Sequence, residues 1–287
     1  MTITTLSFFD GLDEPLRKKL TACEGILRGL GTVVVAFSGG VDSTFLLALA
    51  VATLGRKNTL AAMGVSPSLP RREREEARAL AQAIGAELLE VETGELANPS
   101  YAANPARRCF YCKDDLFSRL GKLAFSRGGA ALVSGANADD SGDFRPGLEA
   151  GACHGVVNPL MQAGLTKPDI RAASQAMNLP TWDKPAMACL ASRVPYGQAI
   201  TAEVLARIEA AEDALKDLGF RACRVRDHAP VARIEVPPDL LAKALELREP
   251  IVRALKRAGY TFVTLDMAAL RTGSMNETLT PADKSTR

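Results

Sequence analysis

A chain of 287 residues that is 47% hydrophobic and 24% charged has room for about two domains of ordinary size and is too apolar to be disordered or a coiled-coil rod. Thirty-five Lys and Arg against 33 Asp and Glu leave a formal net charge of +2, without the strong basic excess of a dedicated nucleic-acid binder. No run approaches the ~18 apolar residues of a membrane span, and the start MTITTLSFFDGLDEPL has no basic segment leading into an apolar core. A cytoplasmic protein with no membrane or nucleic-acid partner is expected.

In chain order, Thr32 to Phe37 is a β-branched and aromatic run that reads as a buried strand. Ser38-Gly39-Gly40-Val41-Asp42-Ser43 follows as a glycine turn, and Thr44 to Ala50 as the start of a helix. Thr59 to Val65 predicts a second strand, Pro70 to Ile84 a charged helix, and Glu87 to Val91 a third strand. This alternation implies an α/β fold with a doubly wound, mainly parallel sheet. The run Ala130 to Asn137 is another apolar strand that ends in small and polar residues. Ligands of such sheets sit at the carboxyl ends of the strands, so Ser38 to Ser43 and Gly135 to Asp140 are expected to share one crevice. A helix from Thr166 to Met177, with proline in its first turn, leads to the proline-punctuated connection Leu179 to Pro185.

Three segments are expected: a nucleotide-binding domain at 1–185, a smaller C-terminal α/β domain at 186–273, and a mobile polar tail at 274–287. Within the second, Ala202 to Leu218 reads as helix, Ala222 to Arg226 and Val231 to Val236 as strands, and a helix follows Pro237-Pro238-Asp239. A last strand runs from Tyr260 to Leu265. Alternation places Arg224, Arg226, Arg233 and Glu235 on one face of their strands and Val225 and Ile234 on the other. That charged face is either a solvated surface or an anion site.

The glycine turn carries the clearest chemistry. Gly39 and Gly40 let backbone amides approach an anion, the following helix adds free N–H groups and the positive end of its dipole, and Ser38, Ser43 and Thr44 add hydroxyls. A phosphate or pyrophosphate is expected there. The string is neither a Walker A loop nor a GxGxxG fingerprint. Gly135-Ala136-Asn137-Ala138-Asp139-Asp140 is either a second contributor to this site or a loop and helix cap.

Six cysteines in a long chain read as thiols, metal ligands or nucleophiles rather than a disulfide framework. Cys109 and Cys112 form a CxxC flanked by Arg107, Arg108 and Lys113, cations that favour thiolate. By itself the pair is equally readable as two partly buried thiols or half of a zinc site, for which His154 and His228 offer no paired ligands. Cys189, in a proline-bounded loop four residues before Arg193, suits a thiolate or an anionic substrate. Cys23, Cys153 and Cys223 have no partner at useful spacing.

The string SGGVDS resembles the PP-loop of the N-type ATP pyrophosphatases. Together with RCxxCK, SGANADD and CLASRxPYG in this order, it resembles the LarE family of ATP-dependent sulfur transferases over most of the chain. The resemblance implies a PP-loop fold and adenylation of a carboxylate of pyridinium-3,5-biscarboxylate mononucleotide. Sulfur insertion then gives a thiocarboxylate on the way to the nickel-pincer nucleotide of lactate racemase. It implies ATP and Mg²⁺ at Ser38, Gly39, Gly40, Asp42, Ser43, Gly135 and Asn137, and catalytic roles for Cys189, Arg193 and Lys113. Cys109, Cys112 and Cys189 match the family members thought to hold a 4Fe-4S cluster, and Glu212, Arg224 and Arg226 match its anion-binding residues. It also implies a sulfur donor, a small-molecule nucleotide substrate and a homo-oligomer. A PP-loop tRNA thiolase and a non-catalytic nucleotide- and zinc-binding module are the rival readings.

Overall fold

The computed structural model describes residues 8–142, 146–185, 188–271, 277 and 279–280. Its elements in chain order are α1 (Glu14–Leu30), β1 (Val33–Ala36), α2 (Val41–Leu54), β2 (Thr59–Val65), α3 (Arg71–Ile84), β3 (Glu87–Glu92), α4 (Pro99–Ala102) and α5 (Arg108–Ser126). There follow β4 (Ala131–Ser134), α6 (Pro146–Cys153), α7 (Pro159–Gln162), α8 (Lys167–Ala176), α9 (Ala202–Asp217), β5 (Arg224–His228), β6 (Val231–Glu235), α10 (Leu241–Glu246), α11 (Arg248–Arg257) and β7 (Phe262–Leu265). The expected tail at 274–287 lies outside the described residues except for 277 and 279–280.

The chain divides into two compact units. One comprises Met1–Ser66, Arg71–Gly94 and Cys109–Met187; the other comprises Pro67–Pro70, Glu95–Arg108 and Ala188–Arg287. The first is built on a four-stranded sheet in the order β3-β2-β1-β4, every pairing parallel. The three valines of β1 are fully buried, as befits a strand covered on both faces. Val34 packs with Leu60, Leu132 and the α5 residues Phe117 and Leu120. Alternation turns Val33 and Val35 to the other face. Helix α2 is buried at nine of its first ten positions, the exception being Asp42. It packs against α1, α3 and α8, so a helix apolar all round is the central one of its layer.

This strand order determines where a ligand belongs. From β1 the chain steps outward through β2 to β3, and then returns to place β4 on the other side of β1. The loops leaving β1 and β4 therefore diverge, and the gap at their carboxyl ends is the switch point of the sheet. Those loops are Ser38 to Gly40 and Gly135 to Asn137, as the sequence led us to expect.

The second unit holds a three-stranded sheet in the order β5-β6-β7, antiparallel between β5 and β6 and parallel between β6 and β7. Its core joins Leu215 of α9, Val225, Ile234, Ile251 and Leu255 of α11, and Tyr260. The charged face of β5 and β6 is half covered: Arg226 and Glu235 are as buried as Val225 and Ile234, whereas Arg224 and Arg233 are partly exposed. Helices α1 and α5, the second of which contains the CxxC, were not anticipated from periodicity.

Candidate functional site

At the end of β1 the backbone turns through Gly39, whose φ is +71°, a conformation that disfavours every residue with a Cβ. A Cβ there would also stand 2.9 Å from Ala77 Cβ of α3. Gly39→Ala is accordingly expected to lower stability by about 1–3 kcal/mol, measurable as a fall in Tm of the full chain. Gly40 caps α2 without any side-chain hydrogen bond, which leaves the first amides of the helix for an external acceptor.

Hydroxyl contacts shape the turn from inside. Ser38 Oγ and Ser43 Oγ are 3.1 Å apart, Ser38 N donates to Ser43 Oγ at 3.2 Å, and Gly40 N donates to Ser38 Oγ at 3.4 Å. The loop after β4 lies directly on the start of α2. A Cβ at Gly135 would be 2.9 Å from Ser43 N, so glycine is what lets this loop pack on the first turn of α2. Asn137, buried, donates from its amide to Asp42 Oδ1 at 3.4 Å and accepts from Asp139 N at 3.0 Å. Every nucleotide-site residue named from the sequence in this unit is thus gathered around one turn.

Two lysines that the sequence did not single out complete it. Lys167, the first residue of α8, pairs its ammonium with Asp42 and donates its backbone N–H to Asp139 Oδ2 at 2.7 Å. Lys184 donates its ammonium to the Gly39 carbonyl at 3.4 Å. Thr166 caps α8 in a capping box with Asp169, and this cap fixes the direction in which Lys167 leaves the helix. The cap was legible as a helix start, but its bearing on Asp42, 125 residues away in sequence, was not.

Cys109 and Cys112 are the second and fifth residues of α5, exposed and half-buried respectively. Lys113, next in the helix, sits over the Phe117 ring at 5.6 Å.

In the second unit Cys189 is exposed and stands at the N-cap of a short 3-10 turn, Leu190–Arg193. Its loop is tied down on both sides. Leu190 N donates to Ser68 O at 2.9 Å, and Asn104 Nδ2 donates to the carbonyls of Val194 at 3.2 Å and Pro195 at 2.7 Å. Asn104 has φ +54° and is wholly buried. Its own oxygens accept from Arg108 Nη1 at 2.6 Å and from Gly197 N at 3.0 Å.

Arg193, buried, grips the loop from within. Its Nη1 donates to the carbonyls of Ala188 at 2.7 Å and Cys189 at 3.1 Å, while Nε and Nη2 make a fork on Glu212 at 2.7 and 3.0 Å. Burial alone would pull the Arg193 pKa down, but the Glu212 carboxylate outweighs it and holds the guanidinium above its ordinary value. Glu212 also accepts from Val225 N at 3.0 Å. Arg226 forks on Glu235 at 2.9 and 2.8 Å and donates to Ser192 O at 2.8 Å. Arg233 bridges Glu235 and Asp266. Arg224 differs from these: it is half-buried, its one described hydrogen bond is a 3.5 Å contact to Arg271 O, and its pKa is lowered by burial and by Arg226 and Arg193 nearby. An anion there would relieve that repulsion.

Among the described residues, no group of three or more His, Cys, Asp and Glu is placed to hold a metal ion, and no helix is long and apolar enough to cross a membrane.

Comparison with known proteins accords with this geometry. Residues 16–110 match the NAD synthase family. The uncharacterized protein slr1717 of Synechocystis sp. is 41% identical over 92% of this chain and 99% of its own length. The uncharacterized protein MJ0830 of Methanocaldococcus jannaschii is 27% identical over 83% of this chain and 90% of its own. The pyridinium-3,5-bisthiocarboxylic acid mononucleotide synthase of Lactiplantibacillus plantarum is 36% identical over 94% of this chain and 98% of its own. Near end-to-end similarity at that level, on a parallel sheet with a PP-loop at its switch point, shows that the chain belongs to the LarE family, that of this synthase.

Proposed function

We propose that the chain is an ATP-dependent sulfur transferase that converts a carboxylate of pyridinium-3,5-biscarboxylate mononucleotide into a thiocarboxylate. The observation that carries the nucleotide half of this reading is the turn at Gly39 and Gly40, with its uncapped helix start and with Lys167 on Asp42. ATP phosphates sit against the free amides of α2. Lys167 turns from Asp42 toward them, which frees the Asp42 carboxylate, a hard oxygen donor suited to Mg²⁺. A substrate carboxylate oxygen attacks the α-phosphorus, the bond to the bridging oxygen breaks, and pyrophosphate leaves with the helix dipole and Lys167 stabilising its charge.

The C-terminal unit, in this proposal, binds substrate and supports assembly into a homo-oligomer. Arg224 is its available cation for the substrate's anionic groups, and Arg193 and Glu212 hold the Cys189 loop. Sulfide held at the Cys109, Cys112 and Cys189 site attacks the acyl carbon, the bond to AMP breaks, and AMP leaves the free thiocarboxylate behind. Cys109, Cys112 and Cys189 are accessible thiols whose donor chemistry fits a 4Fe-4S cluster, although the described residues form no ready three-ligand group. Held by these three thiolates, such a cluster would supply an iron able to take an extra sulfide.

The test is mass spectrometry of anaerobically reconstituted protein before and after turnover with ATP, Mg²⁺ and the mononucleotide, with iron and sulfide analysis alongside. Thiocarboxylate formed over several turnovers with Cys189 unchanged, and iron lost in Cys112→Ala, is the expected result. Product accompanied by Cys189 lighter by one H₂S would establish self-sacrifice instead, and stoichiometric zinc without product would favour the non-catalytic module.

A further inference from the structure

Lys184 lies in the proline-punctuated connection after α8, and its backbone is clamped there. Arg171 donates to the carbonyls of Trp182 at 2.6 Å and Lys184 at 2.9 Å. The Lys184 side chain, only 16% exposed, runs under the glycine turn. Its ammonium meets Glu76 at 2.7 Å, Glu73 at 3.0 Å and the Gly39 carbonyl at 3.4 Å. Both carboxylates belong to α3, as does Ala77, which packs against Gly39.

A trans peptide is planar, and its C=O and N–H point in opposite directions. With the Gly39 carbonyl turned to Lys184, the Gly40 N–H of the same peptide points the other way, to the side where Ser38 Oγ lies. A charged donor on the carbonyl also polarises the peptide and strengthens that N–H as a donor. Glycine at 39 has wide conformational freedom, and the internal hold on this peptide is the long 3.4 Å contact from Gly40 N to Ser38 Oγ, so a charged donor on the carbonyl adds a second hold from outside the turn. Building on the nucleotide reading above, we propose that Lys184 is a positioning residue: it fixes the Gly39–Gly40 peptide so that the Gly40 amide faces the phosphates of ATP, and Glu73 and Glu76 keep its ammonium on the far side of the loop. It does not touch the nucleotide.

Direct contact of Lys184 with the phosphates would give the opposite sign in a variant that frees its ammonium. ATP binding to the full chain is measured by titration calorimetry with Mg²⁺ present. Lys184→Met is expected to weaken ATP binding by about ten- to a hundredfold, and Lys184→Arg to bring it back within about threefold of the parent. The double variant Glu73→Gln with Glu76→Gln loosens the ammonium and is expected to weaken ATP binding as well, by about threefold or more. Tighter binding in the double variant would mean that the freed ammonium reaches the phosphates, which overturns the proposal. So would wild-type affinity in Lys184→Met. Should Lys184→Met fail to fold, the sign of the double variant decides alone. Failure of the wild-type chain to bind ATP would instead defeat the nucleotide reading.

Discussion

Cys189→Ala is expected to abolish thiocarboxylate formation, by about a thousandfold or more, while ATP–pyrophosphate exchange driven by the mononucleotide persists within about threefold. The separation follows from where the atoms lie. The groups assigned to pyrophosphate release, Gly39, Gly40, Ser43, Asp42 and Lys167, belong to the sheet's switch point. Cys189 contributes none of them, and it is exposed, so removing its sulfur costs little stability. Retained product would mean that sulfur arrives from another group. Lost exchange would place Cys189 in adenylation and would require a different division of labour.

Arg226→Met is expected to destabilise the chain by about 3–5 kcal/mol, seen as a Tm lower by about 10 °C. Arg226 is 1% exposed and Glu235 is fully buried. Removing the guanidinium leaves a carboxylate in the core with its main partner gone, and Arg233, which also reaches Glu235, is shared with Asp266. Arg224→Gln is the contrasting case. Half-buried and hydrogen-bonded only to Arg271 O among the described contacts, it is expected to shift Tm little and to raise the KM for the mononucleotide about tenfold. Equal effects of the two variants on KM, with Tm unchanged in both, would support Arg226 as a direct substrate ligand, the role that the family resemblance implies for it. That pair of measurements separates two arginines that the strand pattern alone treats alike.

The sheet of the first unit was legible because β1, β2 and β4 are short apolar runs bounded by small or polar residues, and β2 occupies the range that the sequence suggested, Thr59–Val65. Helix α8 was legible from its cap and proline. The grouping of the PP-loop with Gly135 and Asn137 followed from strand ends alone. What escaped was whatever depends on distant pairing. The role of Lys184 rests on carboxylates more than 100 residues earlier, and the association of Pro67–Pro70 and Glu95–Arg108 with the C-terminal unit rests on backbone hydrogen bonds that no periodicity encodes. The partial burial of the charged face of β5 and β6 escaped for the same reason, since alternation describes two faces without saying what covers each.

The grip of Arg193 on its own loop has a thermodynamic consequence. A long, flexible side chain loses on the order of 2 kcal/mol of rotamer entropy when it is immobilised. Here that loss is complete once the chain has folded, because the fork on Glu212 and the hydrogen bonds to the Ala188 and Cys189 carbonyls form within the unit itself. The backbone presenting the thiol is consequently ordered before substrate arrives. On the proposed reading, each encounter then begins with the Cys189 loop already ordered, so substrate binding energy is not drained into organising it.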